Sequence, residues 1–525
     1  MENGDPIKDK FTSGNHHSYW NDSQRPLEYK TLDTDVMADV LVIGGGIAGL
    51  TAAYCLSASG RRVVLIEDGC LGSGETGRTT AQISYALDDR YYDLEKFFGR
   101  EKASLAAKSH KQALEWINSV VSLENIDCQF KRVDGYLFTD PTDKEENLDK
   151  ELEATQRAGL PTEMVSQMPG IASGSQRAIR FPDQGQFHIL KYLKGLADAI
   201  VRKGGEIYTN THADEITEDG AKANGFTIRA NHIVVATNTP VNDLFTMHTK
   251  QWPYRTYVIA AKVPKGILPY AMWWDTGNME SKWVAKPYHY VRLEPLDDNF
   301  DLLISGGEDH KTGQAEEEHI SEAERYERLT AWTMQHFPHF SEIEYKWSGQ
   351  VMEPVDSLGY IGKNPGDDNI YIITGDSGNG MTHGTLGGII TNDIINGVEN
   401  PYAALYEPSR ITLRTGIDYM KEVGNMAYRM IKDWISSGDI KEVEELAAGK
   451  GAIISKGLDK IAVYRDENGE LHTCTAVCPH MGGVLQWNDD EQSFDCPLHG
   501  SRFTAYGEVI NGPANCGLHK ITEHK

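Results

Sequence analysis

The chain has 525 residues, of which 40% are hydrophobic and 24% charged. This balance excludes a wholly disordered or fibrous protein, and the length predicts about three to four domain-sized units. The 77 acidic residues outnumber the 51 Lys and Arg, and the net charge of −26 argues against a nucleic-acid binder, which needs basic surface. The seven cysteines are too few for a disulfide framework, and no apolar signal segment opens the chain. We therefore expect a cytoplasmic protein without a membrane span.

A strand, a glycine-rich turn and a helix follow a polar arm over residues 1–37. The run 39–43 is typical of a buried parallel strand, residues 50–58 have helical character, and 62–66 predict a second strand. Together they form one βαβ unit.

The turn of this unit carries the pattern Gly44-x-Gly46-x-x-Gly49. Gly44 permits a tight turn, Gly46 lets the backbone approach a pyrophosphate, and Gly49 lets helix and strand pack closely. Glu67 ends the second strand and is placed to accept hydrogen bonds from ribose hydroxyls. The unit predicts a dinucleotide site, the alternative being a merely tight turn between strand and helix.

The rest of the chain alternates helical and strand-like segments. Amphipathic stretches cover about 91–122 and 143–158, and an aromatic-rich region over about 252–350 alternates like antiparallel strands. A buried strand at 369–374 leads through a glycine-rich turn to a helix at 385–396. Residues 411–447 predict a charged helical connector. From about 450 onward, short strands and turns predominate.

Three further motifs decide which dinucleotide is bound. They are Gly72-Ser-Gly-Glu-Thr-Gly-Arg-Thr-Thr80, Val234-Val-Ala-Thr237 and Gly375-Asp-Ser-Gly-Asn-Gly-Met-Thr-His-Gly384. With the first unit, this layout resembles the FAD-dependent oxidoreductases of the glycine oxidase/D-amino-acid oxidase family over about residues 36–410. A modest departure is Asn238, where that family usually has glycine. There is no second strand–GxGxxG–helix unit, which argues against a dedicated NAD(P)H domain.

The resemblance implies FAD as the cofactor, with the last glycine-rich turn opening a helix toward the flavin ring. The expected cofactor-binding residues are Gly44, Gly46, Gly49, Glu67, Gly74, Arg78, Thr79, Thr80, Thr237, Gly375, Gly378, Gly380, Met381 and Thr382.

Close to the C-terminus, Cys478-Pro-His480 is followed after 15 residues by Cys496-Pro-Leu-His499. Two thiolates and two imidazoles suit either tetrahedral zinc or a mixed-ligand iron–sulfur cluster. The surrounding motifs at 477–483, 495–503 and 512–514 resemble the Rieske [2Fe-2S] domain over about 450–525. That resemblance implies Cys478 and Cys496 on one iron and His480 and His499 on the other.

One departure from respiratory-type Rieske proteins concerns their extra disulfide. Gly483 and Leu498 occupy the two positions of that disulfide, so it cannot form here. This fits a reducing cytoplasm and a ferredoxin-like cluster of lower potential.

Substrate residues are harder to locate. On a strand over 288–292, Tyr288, Tyr290 and Arg292 share one face and could form an aromatic cage with a carboxylate clamp; the alternative is a solvent-facing strand with an ordinary ion pair. His383 lies in the last glycine-rich turn, either near the flavin ring or as a structural cap. The weaker candidates are the set Tyr254, Arg255 and Tyr257 and the pair Trp273-Trp274, for which core packing is the alternative.

A flavin takes electrons in pairs from an organic substrate and a Rieske cluster passes them singly. The sequence therefore predicts a dehydrogenase that acts on CH–NH or CH–NH2 groups of a small amine or amino acid. Its electrons would leave through the cluster to a one-electron acceptor such as a ferredoxin. The alternatives are an electron-transfer or redox-sensing protein without an organic substrate, a reductase fed by ferredoxin, and an oxygen-using oxidase with a structural cluster.

The expected architecture is an α/β Rossmann-type FAD-binding domain with an inserted antiparallel-sheet substrate domain, followed by a small all-β Rieske domain. The predicted boundaries are an arm at 1–37, the oxidoreductase domain at 38–425, a helical connector at 426–447 and the Rieske domain at 448–525. Within the oxidoreductase domain, FAD-binding segments are expected at about 38–90, 180–240 and 350–410, and the substrate subdomain at about 91–179 and 241–349.

Overall fold

The computed structural model describes residues 13–171, 177–242, 247–412, 416–436, 438–457 and 459–521, so residues 1–12 of the predicted arm lie outside the described residues. Its helices are α1 (Tyr19–Ser23), α2 (Ile47–Ala58), α3 (Tyr91–Phe98), α4 (Arg100–Leu123), α5 (Glu145–Arg157), α6 (Ile189–Arg202), α7 (Glu322–His336), α8 (Gly380–Ile395), α9 (Ala403–Tyr406) and α10 (Gly416–Ile435). Short 3-10 helices cover Glu75–Arg78, Ala315–Glu318 and Val443–Glu445.

The strands, in chain order, are β1 (Val36–Ile43), β2 (Val63–Ile66), β3 (Gln82–Ile83), β4 (Lys131–Phe138), β5 (Glu163–Val165), β6 (Ala178–Gln186), β7 (Glu206–Tyr208), β8 (Ala213–Thr217), β9 (Gly220–Ala223), β10 (Phe226–Val235), β11 (Gln251–Pro264), β12 (Ala271–Asp275), β13 (Tyr290–Pro295), β14 (Phe300–Lys311), β15 (Ile343–Pro354), β16 (Tyr360–Lys363), β17 (Ile370–Thr374), β18 (Lys450–Lys456), β19 (Asp459–Arg465), β20 (Leu471–Thr475), β21 (Gln486–Asn488), β22 (Ser493–Asp495), β23 (Arg502–Thr504) and β24 (Val509–Asn511).

The first sheet is the α/β layer that the sequence predicts. Its order is β16-β17-β10-β1-β2-β7, with the hairpin β8-β9 beside β10. The pairs that join β17, β10, β1, β2 and β7 are all parallel. The four residues of β2 are buried apolar side chains, as expected for a strand covered on both faces. In such sheets, ligands bind beyond the carboxyl ends of the strands.

Close helix packing on this sheet explains why α8 begins before its predicted start at Thr385. A Cβ on Gly384, one residue before that predicted start, would lie 2.9 Å from Ile47 and 3.2 Å from the backbone nitrogen of Ala48 in α2, and one on Gly387 would lie 2.4 Å from Ile373 in β17. Glycine weakens a helix in isolation, so the sequence pattern underestimates the helix. The tertiary contact with α2 and β17 outweighs that preference.

A nine-stranded sheet forms the second layer, in the order β15-β11-β14-β13-β12-β4-β6-β3 with β5 beside β6. Its strands are paired antiparallel except for β12 with β4. Strands from before and after the hairpin β8-β9 thus meet in one sheet, which matches the predicted antiparallel substrate domain. Helix α7 packs on β11 and β14.

The C-terminal part is all-β, as predicted, and consists of two antiparallel sheets, β18-β19-β20 and β21-β22-β23-β24. Its apolar core includes Phe494 and Phe503, and Cys478 and Cys496 lie in the same core cluster. The two predicted ligand loops therefore belong to a packed domain.

Helix α10 contacts both the second sheet and the C-terminal domain. Lys311, at the end of β14, forms an ion pair with Glu422 in α10. At the other end of the helix, the indole nitrogen of Trp434 donates to the carbonyl of Gly482 over 3.1 Å. Helix α10, which begins ahead of the predicted connector at 426–447 and covers its first part, is thus bonded at both sides. In the part of the chain that the structure describes, none of the helices is both long and apolar enough to span a bilayer.

Candidate functional site

A cavity of about 930 Å³ begins at the carboxyl ends of β1 and β2 and continues to the antiparallel sheet. One side of the cavity is lined by the glycine turn 44–46, the 3-10 helix Glu75–Arg78 and the start of α8. Residues 504–518 of the C-terminal domain also line it. One cavity therefore touches all three parts of the fold.

The glycine turn leaves no room for side chains. Gly44 has φ +109°, and a Cβ there would lie 2.4 Å from the carbonyl oxygen of Ala236. A Cβ on Gly49 would lie 1.9 Å from the carbonyl oxygen of Gly44. Gly46 is the N-cap of α2 and places no side chain over that helix end. Exposed N–H groups at a helix N-terminus suit a pyrophosphate, so the turn fits the phosphates of FAD.

Glu67 lies on the cavity wall at the end of β2. Its carboxylate accepts from the backbone N–H of Gly45 over 2.6 Å and from that of Gly69 over 2.9 Å. Burial raises the pKa of Glu67. Each carboxylate oxygen keeps a further acceptor site, so the predicted hydrogen bond to a ribose remains compatible with this geometry.

Most residues predicted to bind the cofactor line the cavity, namely Gly44, Gly46, Glu67, Gly74, Arg78, Thr79, Thr80, Thr237, Gly378, Gly380 and Met381. Three of the predicted residues do not line the cavity: Gly49, Gly375 and Thr382. The close approach of Gly49 to Gly44 is the packing role that the motif predicts. Thr382 instead bonds Nδ1 of His110 over 2.7 Å, behind the cavity wall.

The guanidinium of Arg78 turns to the C-terminal domain. It donates to Glu491 over 2.6 Å and to the carbonyls of Ser348 and His16 over 2.5 and 2.6 Å. The side chain therefore joins the domains, while the residue still lines the cavity and its contact with the cofactor stays a prediction.

The end of the cavity at the antiparallel sheet is aromatic. Tyr288 and Tyr290 both line it, with ring centroids 5.3 Å apart, and Trp274 lies on the same wall. The hydroxyl of Tyr290 lies 2.6 Å from that of Thr256. Trp273, the neighbour of Trp274, is fully buried in a core cluster. The predicted tyrosine pair is therefore brought to the cavity, and the tryptophan pair is divided between cavity and core.

Four half-buried carboxyl groups at this end went unnoticed in the sequence: Asp88, Asp309, Glu353 and Asp376. Burial raises the pKa of Asp88 to about 8, that of Asp309 to about 7 and that of Asp376 to about 6. Burial and the neighbouring aspartates raise the pKa of Glu353. These residues come from distant segments, so no local motif could have revealed them.

Arg292 does not line the cavity, although Tyr288 and Tyr290 do. It is fully buried, forms an ion pair with Glu294 two residues along the same strand, and donates to the carbonyls of Thr80 and Ala81 over 3.1 and 2.8 Å. The predicted carboxylate clamp is therefore corrected to a structural role; the alternative is met in its ion pair but not in its solvent-facing strand, because Arg292 and Glu294 are both buried.

His383 lines the cavity, but its ring is bonded to the protein. Its Nε2 lies 3.0 Å from the carbonyl oxygen of Thr374, and burial lowers the pKa of His383 to about 4. The neutral ring joins β17 to α8, which favours the structural alternative. The weaker set is also absent from the lining residues: Tyr254, Arg255 and Tyr257 contact Glu422, Ser348 and His310.

The four predicted metal ligands lie in the C-terminal domain as a pair of thiols and a pair of imidazoles. The thiols of Cys478 and Cys496 are within hydrogen-bonding distance, and the bond from Cys496 lowers the pKa of Cys478 to about 7. The rings of His480 and His499 have centroids 5.0 Å apart. Nδ1 of His499 is buried with no hydrogen-bond partner among the described residues. Two thiols beside such an imidazole nitrogen fit the mixed ligand set of a Rieske cluster.

A third histidine, His248, contacts this centre from the oxidoreductase domain. Its ring centroid lies 4.6 Å from that of His480 and 5.7 Å from that of His499. His248 is 1% exposed and His499 is 4% exposed, whereas His480 is partly exposed, so the chain covers one of the two predicted histidine ligands more fully than the other. An isolated histidine ahead of β11 gives no motif, and sequence analysis missed it.

Gln350 joins the cavity to the ligand loop. It lines the cavity, and its side-chain N–H donates to the carbonyl oxygen of Gly500 over 3.1 Å. Gly500 directly follows His499 and has φ +80°; a Cβ there would lie 2.5 Å from Pro253 on β11. The ligand loop is thus pressed against the sheet that forms the cavity wall.

The fold and the two centres define the class of protein. A family model for "FAD dependent oxidoreductase" matches residues 39–394, and a model for the Rieske [2Fe-2S] domain matches residues 436–522. The chain belongs to this FAD-dependent oxidoreductase family and carries a C-terminal Rieske domain. FAD and a [2Fe-2S] cluster are its cofactors, as the sequence predicts.

Individual relatives agree with this membership. The chain is 32% identical over 511 residues to a Bacillus subtilis (strain 168) protein named as a Rieske 2Fe-2S iron-sulfur protein, YhfW, covering 96% of this chain and 97% of that one. It is 26% identical to the gamma-glutamylputrescine oxidoreductase of Escherichia coli (strain K12), over 70% of this chain and 86% of that one. A crystal structure of glycine oxidase from Geobacillus kaustophilus has a TM-score of 0.57 and 18% identity, covering 72% of this chain and 100% of that chain.

Proposed function

We propose that the protein is a dehydrogenase for the CH–NH or CH–NH2 group of a small amine or amino-acid-like substrate. Its electrons would leave singly, through its own Rieske cluster, to an external one-electron carrier such as a ferredoxin. The observation that carries this proposal is Gln350, which lines the cavity and donates to the carbonyl next to the ligand His499. A single side chain thus separates the cavity from the ligand loop.

The proposed reaction moves electrons in two ways, as a pair from the substrate and then singly to the external carrier. Oxidation of a C–H bond next to nitrogen to C=N releases two electrons and two protons. FAD supplies a two-electron acceptor when bound, and the cluster supplies one-electron steps. Two molecules of the external carrier are then reduced per substrate. The protein's own residues hold the substrate beside Tyr288 and Tyr290, and Asp309, whose pKa burial raises to about 7, can receive a proton in its ionised form.

Two observations support a substrate-oxidising enzyme over an electron carrier without an organic substrate. The cavity stays open beside Tyr288, Tyr290 and Trp274, which line it without closing it. Carboxyl groups with raised pKa values lie on the same wall, which is common where a proton has to be accepted.

A reducing cytoplasm is the proposed location. All seven cysteines lie in the described part of the chain, and none is in a disulfide. At the two positions of the respiratory-type disulfide, Gly483 and Leu498 contact each other beside Cys496: a Cβ on Gly483 would lie 2.8 Å from Leu498. A cluster without that bridge suits a compartment that keeps thiols reduced.

An anaerobic screen of the holoenzyme tests the proposed function. Amines and amino acids are added in turn, and bleaching of the flavin band is recorded together with the cluster absorbance. We expect a substrate to bleach the flavin first, the cluster second, and then to reduce an added ferredoxin. Flavin bleaching without cluster reduction, or rapid peroxide formation in air in place of ferredoxin reduction, would contradict the proposal.

A further inference from the structure

We propose that the substrate is an amine with no carboxylate on the carbon next to its nitrogen, bound as a cation between the tyrosine pair and the carboxyl groups of Asp88 and Asp309. This inference rests on the proposed function and narrows its substrate class. It follows from what the cavity wall offers and from what is missing there.

The first step is the balance of charge on the wall. Among the described residues that line the cavity, the Lys and Arg side chains are Arg78 and Lys520. Arg78 is paired with Glu491, and Lys520 belongs to the C-terminal domain. A substrate carboxylate at the aromatic end would therefore meet aspartates and glutamates without a cation to balance it. Such a placement is costly in a buried site.

The nearest basic side chains lie behind the wall and are engaged. His289 is 2.7 Å from Asp275 and 3.4 Å from Glu308, and these carboxylates raise the pKa of His289 to about 9 against the effect of burial. Arg90 donates to the backbone carbonyl of Asp275 over 3.2 Å. Neither side chain lines the cavity. Arg292, the predicted clamp, is held by Glu294.

The second step is the position of the carboxyl groups. Asp88 accepts a hydrogen bond from Tyr288 and packs on Gly378, where a Cβ would lie 1.7 Å from its oxygen. Oδ1 of Asp309 is fully buried and has no hydrogen-bond partner among the described residues. A buried acceptor without a donor is costly, and an ammonium ligand supplies both the donor and the opposite charge.

The third step is the aromatic wall. Tyr288 and Tyr290 lie at 48° to one another with centroids 5.3 Å apart, next to the indole of Trp274. Aromatic faces attract a cation, and desolvation strengthens that attraction. Rings on one side and carboxyl groups on the other form a cage for an alkylammonium group. The same cage repels the carboxylate of a zwitterionic amino acid.

Matched pairs of ligands test this proposal. Benzylamine against phenylglycine, pyrrolidine against proline, and putrescine against ornithine each differ by one carboxylate next to nitrogen. Binding to the oxidised holoenzyme is measured anaerobically by calorimetry, with flavin bleaching recorded in parallel. We expect at least one amine to bind about tenfold or more tightly than its carboxylated partner.

Two variants then locate the binding site. Asp309→Asn removes the carboxyl group that an ammonium ligand would hold in its ionised form, and should weaken amine binding by about tenfold to a hundredfold, while leaving the carboxylated partner unchanged. Tyr288→Leu removes an aromatic face without changing charge and should weaken it several-fold. Asp298→Asn, at an exposed turn of the same sheet, is the matched control and should have no effect. Flavin content and circular dichroism establish that each variant is folded.

The outcomes separate the inference from the proposed function. Carboxylated ligands that bind as tightly as their amines, or that alone bleach the flavin, would overturn the inference and leave the dehydrogenase standing. Amines that bind through Asp309 and Tyr288 but never reduce the flavin would overturn the proposed function and leave the site. If the Asp309→Asn variant loses its flavin, the inference is still decided by the matched ligand pairs measured on the wild-type protein and by the Tyr288→Leu variant.

Discussion

Arg78 and Glu491 form an ion pair with a 2.6 Å separation and no exposed side-chain surface. Arg78 lies in the oxidoreductase domain, within the Gly72–Thr80 motif, and Glu491 lies in the Rieske domain. The hydroxyl of Ser348 also donates to Glu491 over 2.5 Å, and Arg255 lies 3.9 Å away. Nearby Arg side chains lower the pKa of Glu491 despite its burial. The carboxylate of Glu491, paired with Arg78 and hydrogen-bonded by Ser348, thus holds the two redox domains in one relative position.

Glu491→Gln tests this docking contact. Removing one partner of a buried pair leaves an uncompensated charge and costs about 3–5 kcal/mol. We expect the Rieske domain of this variant to be cleaved by protease, and to lose its cluster absorbance, at a lower urea concentration than the wild type. The double variant Arg78→Met/Glu491→Leu should recover part of the loss. Glu508→Gln, an exposed change in the same domain, is the control.

The same pair has a defined pH dependence. A carboxyl group with a lowered pKa in the folded state contributes stability above its unfolded value of about 4.3 and loses it as the pH falls toward the folded value. We expect the wild type to lose domain docking below about pH 4, whereas Glu491→Gln should already lack this contribution at neutral pH. Equal acid sensitivity in the two proteins would contradict this account.

Cys496→Ser separates the two redox centres. Loss of one thiolate ligand should abolish the [2Fe-2S] absorbance and EPR signal, because the donor set for one iron is incomplete. Flavin bleaching by substrate should persist, since Cys496 does not line the cavity, whereas reduction of ferredoxin should stop. Cys474→Ser changes a buried thiol that contacts only the carbonyl of Tyr506 among the hydrogen bonds of the structure, at 3.6 Å, and should keep both signals.

Gly49→Ala probes the glycine turn. The new Cβ would lie 1.9 Å from the carbonyl oxygen of Gly44, so strand and helix must separate. We expect loss of most bound FAD, measured by flavin absorbance per polypeptide, while the cluster absorbance is retained. Gly424→Ala is the matched control because a Cβ there meets nothing within 4 Å. It lies inside α10, where alanine favours the helix by about 0.5–1 kcal/mol.

Gln350→Met tests the contact between cavity and cluster. It keeps the size of the side chain but removes the donor to the carbonyl of Gly500. Stopped-flow measurements should show an unchanged rate of flavin bleaching and a several-fold slower reduction of the cluster. Gln314→Met is the control, since Gln314 donates to Pro497 in the same ligand loop over 3.1 Å but does not line the cavity. Equal slowing in both variants would indicate a loosened loop instead of a broken contact.

Asp88→Asn should make the folded protein more stable at high pH. Burial raises the folded pKa of Asp88 to about 8, above its unfolded value of about 3.9, so the folded state binds more protons between these values. Stability therefore falls as the pH rises through this window. We expect the variant to raise the thermal midpoint of the holoenzyme at pH 9 and to change it little at pH 4. A larger gain at the lower pH would contradict this sign.

Agreement between sequence and structure is good where the signal is local. The strand at 39–43 falls within β1, the strand at 62–66 matches β2 except for its first residue, and the stretches at 91–122 and 143–158 correspond to α3, α4 and α5. The helix predicted at 385–396 begins earlier, at Gly380, because tertiary packing sets its glycines. Tertiary packing also decides the position of Arg292, which was predicted to bind a substrate carboxylate. Strand alternation places Arg292 on the same face as Tyr290, but Arg292 is fully buried whereas Tyr290 lines the cavity.

By itself, the sequence determined both cofactors and the overall architecture. A glycine turn between strand and helix, and paired Cys and His at a set spacing, carry their chemistry within short segments. Only the tertiary structure decided how the centres meet. His248, Gln350 and Glu491 come from segments far apart in the chain and carry no motif, and the contacts that each makes with the other domain depend on how the domains dock. The carboxyl groups around Tyr288 likewise acquire their charge properties only through burial, which is a property of the folded chain.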